Sequence, residues 1–280
     1  MYIYRSRHAG LSLRHDRQEP DEFITFNLHA HATAEVFYLI SGTGVFHIEG
    51  SSYHMQPGDI VLMRPAEAHY IEQDPSVPYE RICLNFDMAI LDALDPDHTL
   101  MRPYFDREPG SRNHYRTAGT QDAICRTYLD NILNAPDDRL KAMANLILLL
   151  RQLGVMFDRD TSRPEEPDTL EYRIVRYINE NLQKELSLQD LCDHFFISRA
   201  QLCRRFKKIA GTSVGKFVAA KRLLKAQHLI SQGKKPTDVF AECGYQDYST
   251  FYRAYLHHFG HSPRDARQLQ TVEDDRVEIK

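Results

Sequence analysis

Hydrophobic and polar residues follow two different periodicities along this chain, and the first occurs in its N-terminal part. Between residues 23 and 86, short apolar runs are separated by turn sequences such as Ser41-Gly42 and Pro57-Gly58-Asp59. Apolar side chains at every second position, bounded by Gly, Pro and Asp, are typical of half-buried strands. We predict strands at 37–40, 44–48, 53–55, 60–63 and 81–86. Short strands at this spacing predict an antiparallel barrel or sandwich.

Beyond residue 86 the apolar residues recur at helical spacing, which predicts helices at 123–133, 138–157 and 169–184. Around Leu146–Leu150 the second helix is apolar on more than one face, which indicates either contact with a partner chain or a wholly internal helix. The segment 161–168 has proline among charges, as linkers do. Residues 1–25 are polar and mixed in charge, and predict an arm or an edge strand.

The C-terminal part of the chain contains one short pattern twice, the two copies 49 residues apart. The corresponding residues are Ser198 and Asp247, Leu202 and Phe251, Arg204 and Arg253, Phe206 and Tyr255, Gly211 and Gly260, and Ser213 and Ser262. A repeated supersecondary unit explains such a period. Each copy predicts a short helix, a tight turn and a second helix, and residues 214–231 predict a helix that joins the two units.

Helix-start signals fall where this repeat needs them. Ser187 with Asp190, and Ser198 with Gln201, have the spacing of capping boxes, in which each side chain accepts a hydrogen bond from the other residue's backbone N–H. In the second copy Asp247 can cap the last helix in the same way. We therefore expect two helix-turn-helix units.

The outer helix of each unit has an apolar face, and in the first unit it also has a cationic face. The apolar stripes are Leu202, Phe206 and Ile209 in the first unit and Phe251, Tyr255 and Phe259 in the second. The cationic face carries Arg199, Arg204, Lys207 and Lys208. A helix pair with a cationic second helix is typical of a unit that lays this helix in the DNA major groove. A basic, solvated helix pair is the alternative for a single copy, and two copies in register favour DNA binding.

The distribution of charge supports this interpretation. The whole chain has a net charge of −4, but residues 186–267 contain 14 Lys and Arg against 6 Asp and Glu, a net charge of +8, which leaves −12 for the remainder. Phosphate binding is therefore expected in the C-terminal part alone. The five cysteines have no C-x-x-C spacing, which favours reduced thiols, and the chain shows neither a signal peptide nor an 18-residue apolar window. We expect a soluble, cytoplasmic protein with no membrane contact.

The repeat resembles the double helix-turn-helix domain of the AraC/XylS family of bacterial transcription regulators. The resemblance extends from residue 170 to residue 267 and is carried by RAQLCRRFKKIAGTSVGKFV, AKRLLKAQHLI and DVFAECGYQDYSTFYRAYLHHFGHSPRDAR. Cys192 stands where the family usually has Ala, Phe196 fills a turn position that more often holds a smaller residue, and Leu256-His257 replaces a pair often written as lysines. The last change removes phosphate partners, so we expect the first unit to contribute more to DNA affinity.

The N-terminal part resembles the cupin barrel. The resemblance is carried by two groups of residues, with His29, His31, Glu35 and Gly42 in the first and Gly58, Asp59 and His69 in the second. Glu67 replaces the glycine that the second group usually contains. On a strand His29 and His31 point to the same face, so two imidazoles can converge in the barrel with Glu35 and His69 from neighbouring strands.

These four side chains have three interpretations. They can bind a divalent metal, as in cupin enzymes. They can form the polar floor of a pocket that hydrogen-bonds sugar hydroxyls or a carboxylate. They can also be buried groups satisfied by their own neighbours. The resemblance to sensor domains of the AraC/XylS family favours a non-catalytic effector pocket at His29, His31, Glu35 and His69, with no catalytic residue, metal or cofactor.

The resemblance thus implies two domains of mixed α and β class. These are a cupin-like antiparallel barrel with flanking helices at 1–160 and, after the linker at 161–168, an all-α double helix-turn-helix domain at 169–270, with a polar tail at 271–280. The match to the family's recognition helices assigns DNA contact to Arg199, Ala200, Cys203, Arg204, Lys207, Lys208, Tyr248, Ser249, Tyr252 and Arg253.

We therefore expect a homodimeric transcription activator that binds double-stranded DNA and responds to a small molecule such as a sugar. RNA polymerase is a further candidate partner. Two other classes of function are alternatives. A metal-dependent cupin enzyme with an accessory DNA-binding domain would need a stoichiometric metal with an open coordination position. An adaptor that binds protein through its helix pairs would show no salt-dependent affinity for DNA.

Overall fold

The computed structural model describes residues 2–8, 10–20, 28–117, 120–160, 169–210, 212–265 and 277–278. The chain folds into two domains, an antiparallel barrel with flanking helices followed by a helical domain, which confirms the predicted fold class. The predicted linker at 161–168 lies outside the described residues. Of the predicted tail, Val277–Glu278 is described and pairs with the strand that carries His29.

Two antiparallel sheets form the barrel. Its strands are β1 (Tyr2–His8), β2 (Leu11–Gln18), β3 (His29–Ala30), β4 (Ala34–Ser41), β5 (Gly44–Ile48), β6 (Ser51–Met55), β7 (Ile60–Met63), β8 (His69–Gln73), β9 (Tyr79–Phe86), β10 (His114–Tyr115) and β11 (Val277–Glu278). One sheet has the order β1-β2-β9-β4-β7-β10 and the other β11-β3-β8-β5-β6. Phe37 and Val61 from the first sheet pack against Phe46 and Ile71 from the second in the barrel interior.

The N-terminal segment differs from its prediction. β1 is an edge strand as expected, but β2 is an internal strand between β1 and β9. Leu11 and Leu13 of β2 face the flanking helices, whereas Ser12, Arg14 and Asp16 alternate with them and are also buried. The sequence looks polar because this strand buries its polar residues in the barrel, so hydropathy alone predicted an arm or an edge strand and not an internal strand.

Helices cover the outer face of the six-stranded sheet. Two 3₁₀ helices, Met88–Ile90 and Thr99–Met101, precede α1 (Arg102–Phe105), α2 (Thr120–Leu133) and α3 (Arg139–Arg159). Leu146, Leu150 and Leu153 of α3 pack with α2 and with the sheet in one apolar core. Among the described helices, α3 alone is long and apolar enough to cross a membrane by length and composition. Its apolar face is part of this core.

The second domain contains the predicted helices. They are α4 (Leu170–Glu180), α5 (Leu188–Phe195), α6 (Arg199–Ala210), α7 (Val214–Ser231), α8 (Pro236–Glu242) and α9 (Tyr248–Phe259). Both capping boxes form, since Ser187 and Asp190 cap each other's backbone N–H groups, as do Ser198 and Gln201. Asp247 accepts a hydrogen bond from the N–H of Thr250 at 2.8 Å, which starts α9.

The two outer helices bury most of the predicted stripes, and Phe259 of the second stripe is partly buried. Leu202 and Phe206 of α6 and Phe251 and Tyr255 of α9 are fully buried. The side chain of Ile209 lies outside the described residues. The helix pairs are joined by α7, which packs against both of them through Phe217 in the first apolar core and Leu223 in the second. The position of α7 therefore fixes how the two units stand relative to each other.

Candidate effector site and DNA interface

Three histidines and a glutamate meet inside the barrel. His29 lies on β3, His31 just after it, Glu35 at the start of β4 and His69 at the start of β8. The imidazole centroids of His29 and His69 are 4.4 Å apart, and that of His31 lies 5.2 Å from His29 and 5.3 Å from His69. One ring nitrogen from each histidine lies within 4.8 Å of those of the other two.

The strands that deliver these side chains differ from the prediction in two respects. β3 ends at Ala30, so His31 lies in the following loop rather than on the same strand as His29. Glu35 belongs to the six-stranded sheet, while His29 and His69 pair across the other sheet. The site therefore bridges the two sheets of the barrel.

A ring nitrogen of His69 and a carboxylate oxygen of Glu35 face each other in this site. The backbone carbonyl of Glu67 can only accept, so Nδ1 of His69, 2.8 Å away, donates to it. Nε2 of His69 lies 3.4 Å from Oε2 of Glu35. Both atoms are buried, and Nε2 of His31 also lies 2.9 Å from the same carboxylate oxygen.

Glu35 is held in its ionised form. Burial alone would raise its pKa, but His31, whose Nε2 lies 2.9 Å from Oε2, and His69 oppose this effect and hold the pKa well below its usual range. The side chains of His31, Glu35 and His69 are nearly inaccessible to solvent. The site thus presents a carboxylate and imidazole nitrogens in a water-poor interior.

The space beside the site is small. The cavity has a volume of about 20 Å³ and is lined by His29, Glu35 and His69 together with Arg14, Phe37, Phe46, Ile71, Arg81 and Cys83. Arg81 lies 3.6 Å from Asp16, and burial raises the pKa of Cys83 to about 11, which keeps this thiol protonated. A cavity of this size accommodates about one water-sized occupant, whereas pockets for drug-sized ligands measure roughly 300–1,000 Å³.

Glu67 is a buried structural residue that the sequence did not reveal. Its carboxylate receives two hydrogen bonds from Arg107 at 2.8 Å each, and further ones from the N–H groups of Arg64 and Gly110 and from Asn113. Burial opposes ionisation, but Arg107 outweighs it and lowers the pKa of Glu67 to about 2. This network fixes the segment before β8, and with it the ring of His69. No sequence signal links residues 67 and 107.

The candidate DNA-contacting side chains lie on the outer faces of α6 and α9. On α6, Arg199, Ala200, Cys203, Arg204, Lys207 and Lys208 are exposed. On α9, Ser249 and Arg253 are exposed, whereas Tyr248 and Tyr252 are half-buried with ring centroids 6.2 Å apart. Arg204 and Lys207 make no salt bridge within the described residues, while the neighbouring Arg205 donates to Glu171 of α4 at 2.8 Å. Sequence reasoning did not separate these two arginines.

Comparison with known proteins assigns the family. The AraC-like ligand binding domain matches residues 12–150, and a helix-turn-helix domain matches residues 191–269. The chain belongs to the AraC/XylS family of transcription regulators. It is a DNA-binding regulator with a cupin-like ligand-binding domain, and the expectation of a regulator rather than an enzyme is confirmed.

Individual members of the family resemble this chain at low identity. The HTH-type transcriptional activator RhaS of Citrobacter koseri is 24% identical over 248 residues, which cover 87% of this chain and 88% of that protein. An AraC-type transcriptional regulator from Chromobacterium violaceum is 31% identical over 35% of this chain and 88% of that chain, with a TM-score of 0.33. ToxT of Vibrio cholerae is 11% identical over 95% of this chain and 100% of that chain, with a TM-score of 0.37.

Proposed function

We propose that this AraC/XylS-family member is a cytoplasmic, effector-responsive transcription activator that binds its effector at His29, His31, Glu35 and His69. The barrel at 1–160 is the sensor and the helices at 169–270 bind DNA, with 161–168 as linker. The observation that carries the proposal is the meeting of three imidazole rings with the ionised carboxylate of Glu35 in the buried interior of the barrel. Buried ionisable groups that converge beside a cavity are candidates for a functional site.

We propose that side chains on the exposed faces of α6 and α9 contact the DNA bases. Arg204 and Arg253 are 49 residues apart in the repeat and take equivalent positions on the two helices. Ala200, Cys203, Tyr248, Ser249 and Tyr252 lie on the same faces. Lys207 and Lys208, one turn further along α6, contact phosphate groups of the DNA backbone, and Arg199 at the start of the helix does the same. Each unit then occupies one stretch of major groove.

A homodimer is supported by the outer face of α3. Leu140, Leu148 and Val155 lie close to one face of this helix and are 83%, 45% and 39% exposed. These residues are seven or eight positions apart, close to a heptad spacing, so the same helix of a second copy could pack along them and cover them. Two copies would place four helix-turn-helix units on DNA, and RNA polymerase is the partner that such an activator would contact.

We infer that the effector site takes a single divalent transition-metal ion. The ligand atoms would be one ring nitrogen each of His29, His31 and His69, a donor set that suits ions such as Zn²⁺ or Co²⁺, and the carboxylate of Glu35 beside His31 and His69 would balance the charge. The hydrogen bond from Nδ1 of His69 to a backbone carbonyl is the usual outer contact of a metal-bound imidazole. A bound ion would supply positive charge between the two sheets and tie them together.

A carbohydrate is the alternative effector, since the resemblance suggested one. It supports the proposal less well, because a cavity of about 20 Å³ does not hold a sugar unless the lining side chains move apart. The two effectors are distinguished by experiment. If the effector is a sugar, the protein should still bind it in the presence of a metal chelator. If the effector is a metal ion, the chelator should abolish binding.

The decisive test is metal binding by the purified protein. We expect about one Zn²⁺ or Co²⁺ per chain, with the visible absorption of nitrogen-coordinated Co²⁺. His31→Ala and His69→Ala should each lose this signal, while His54→Ala, an exposed histidine on β6, should keep it. With DNA selected by the wild type from a random-sequence library, Co²⁺ should change the DNA affinity of the wild type and of His54→Ala but not that of His31→Ala or His69→Ala. If the wild type bound neither Co²⁺ nor Zn²⁺, the proposal of a metal effector would be wrong. A normal response in both His31→Ala and His69→Ala would show that this cluster is not the effector site.

A further inference from the structure

The DNA-binding domain packs against the segments that carry the effector-site histidines. Successive side chains of a strand point to opposite faces. His69 points into the barrel, whereas its neighbours Ala68 and Tyr70 join an apolar cluster with Ile174, Val175 and Phe217 of α4 and α7. Leu28, which precedes His29, belongs to the same cluster. Two histidines of the site are therefore each adjacent to a residue that contacts the DNA-binding domain.

A buried ion pair joins the same two parts of the molecule. Glu49, in the turn between β5 and β6, accepts hydrogen bonds from Nζ of Lys221 on α7 and from Nδ2 of Asn179 on α4. The same carboxylate accepts the N–H of Ala68 at 2.6 Å. Lys221 also donates to the carbonyl of Ala66. The side chains of Glu49 and Lys221 are 1% and 7% exposed, so this is an interior contact rather than a surface one.

The segment 66–69 connects this ion pair to the effector site. The N–H of Ala66 donates to the carbonyl of His31 at 2.8 Å, and the carbonyl of Glu67 accepts from Nδ1 of His69. Lys221 and Glu49 bind the residues on either side of Glu67. Any ligand that repositions His31 or His69 must therefore act on a segment that α7 contacts directly.

We propose that Glu49 and Lys221 couple occupancy of the effector site to DNA affinity. This inference rests on the proposed function, because it takes the His–Glu cluster as the effector site. A buried charge is strongly unfavourable away from its partner, so the pair keeps α7 and the segment 66–69 together when either moves. Because α7 joins the two helix-turn-helix units, its displacement changes their placement on DNA. A ligand shifts such an equilibrium only through different affinities for the two arrangements.

The first test compares three variants with the wild type. The double variant Glu49→Gln/Lys221→Met removes both charges, so that neither is left buried alone. Lys221→Arg keeps the charge. Lys225→Met is the matched control, since Lys225 is one turn along α7 and contacts the carbonyl of Glu242 instead of the barrel. All are tested for affinity to Co²⁺ and to DNA selected by the wild type from a random library.

In the wild type and Lys225→Met, Co²⁺ should change DNA affinity by about 10-fold, and by reciprocity DNA should change Co²⁺ affinity by the same factor. The double variant should bind Co²⁺ and DNA separately within about threefold of the wild type, with the coupling factor reduced to less than about twofold. Lys221→Arg should keep most of the coupling. An unreduced factor in the double variant would overturn the proposal.

A second measurement does not depend on Co²⁺. Selected DNA should slow the hydrogen exchange of backbone amides in 66–73 of the wild type and of Lys225→Met, but not of the double variant. If the wild type binds no Co²⁺, the proposed effector fails while this measurement still decides the coupling. Equal slowing in the wild type and the double variant, or no DNA-dependent change in the wild type, would overturn it.

Discussion

In the barrel, Arg14, Asp16, Glu35, Glu67 and Arg107 are buried, whereas the cationic residues of α6 are exposed. Among the described residues of α4–α9, Lys221 is the charged side chain that is buried, and it faces the barrel. The barrel thus has several charged side chains in its interior, whereas those of the helical domain lie almost entirely on its surface.

This difference indicates what the charges do in each domain. A buried charge must be matched by a partner of fixed geometry, because desolvation makes the unpaired charge strongly unfavourable. An exposed charge contributes little to folding and remains available to a ligand. Charge substitutions in the barrel should therefore change stability and effector response, and those on α6 should change DNA binding while leaving stability unaltered.

The largest effect is expected for Glu67→Gln. The change leaves Arg107 charged in the barrel wall with weakened partners, and we expect a loss of about 3–5 kcal/mol in the free energy of unfolding at neutral pH. The pKa of Glu67 is about 2 in the folded protein against an ordinary value of 4.5, so its carboxylate stabilises the fold above about pH 4.5. That contribution is lost as the pH falls from about 4.5 towards 2. Urea unfolding at several pH values measures both effects.

The control is an exposed pair of the same kind. Glu180 on α4 lies 2.9 Å from Arg176, and both side chains are about half exposed. Glu180→Gln should cost less than about 0.5 kcal/mol and should leave the acid profile unchanged. Equal losses for Glu67→Gln and Glu180→Gln would break the comparison between the domains.

The next effect in size concerns two adjacent arginines on α6. Arg204→Ala should lose about 1–3 kcal/mol of affinity for the selected DNA and relax the base preference at one position, because arginine can donate two hydrogen bonds to guanine. Arg205→Ala should leave that preference intact, since Arg205 binds Glu171. Arg253→Ala should relax a second position, about one helical turn away. Binding selection with each variant measures this, and unchanged preference in both Arg204→Ala and Arg253→Ala would contradict the placement of the recognition helices.

The smallest effect is expected for the double change Lys207→Gln and Lys208→Gln. Each lysine that neutralises a phosphate contributes about 0.9 to the slope of log affinity against log salt. The slope should therefore become shallower by roughly 2, equally for selected and random DNA, with the melting temperature unchanged. A loss restricted to the selected sequence would indicate base reading by these lysines instead.

The helical domain could be predicted almost completely because its signals are local. Capping residues lie three positions apart, the repeat has a constant period, and the observed α7 has the predicted bounds Val214–Ser231. The four residues of the candidate effector site could be named because each lies within a short motif, and the structure brings them together. Their use as a metal or effector site stays a prediction.

The remaining features depend on contacts distant in sequence. Glu67 and Arg107 are 40 residues apart, and Glu49 and Lys221 are 172 apart, so no periodicity or spacing connects them. Strand β2 was missed for a different reason. Its polar residues face the interior of the barrel, and a hydropathy pattern assumes that polar residues face water.

Gly50, beside Glu49, shows how closely the two domains approach. Its φ is +88°, and a Cβ built there would lie 3.0 Å from the Cα of Tyr172 on α4, so the contact is backbone against backbone. Regulators of this family combine a sensor with a DNA-binding domain, which invites exchange of sensors between relatives. In such a chimera a side chain at this position would press on the backbone of Tyr172 and would need a positive φ that side chains other than glycine rarely adopt, so the turn should be transplanted together with the helix that it touches.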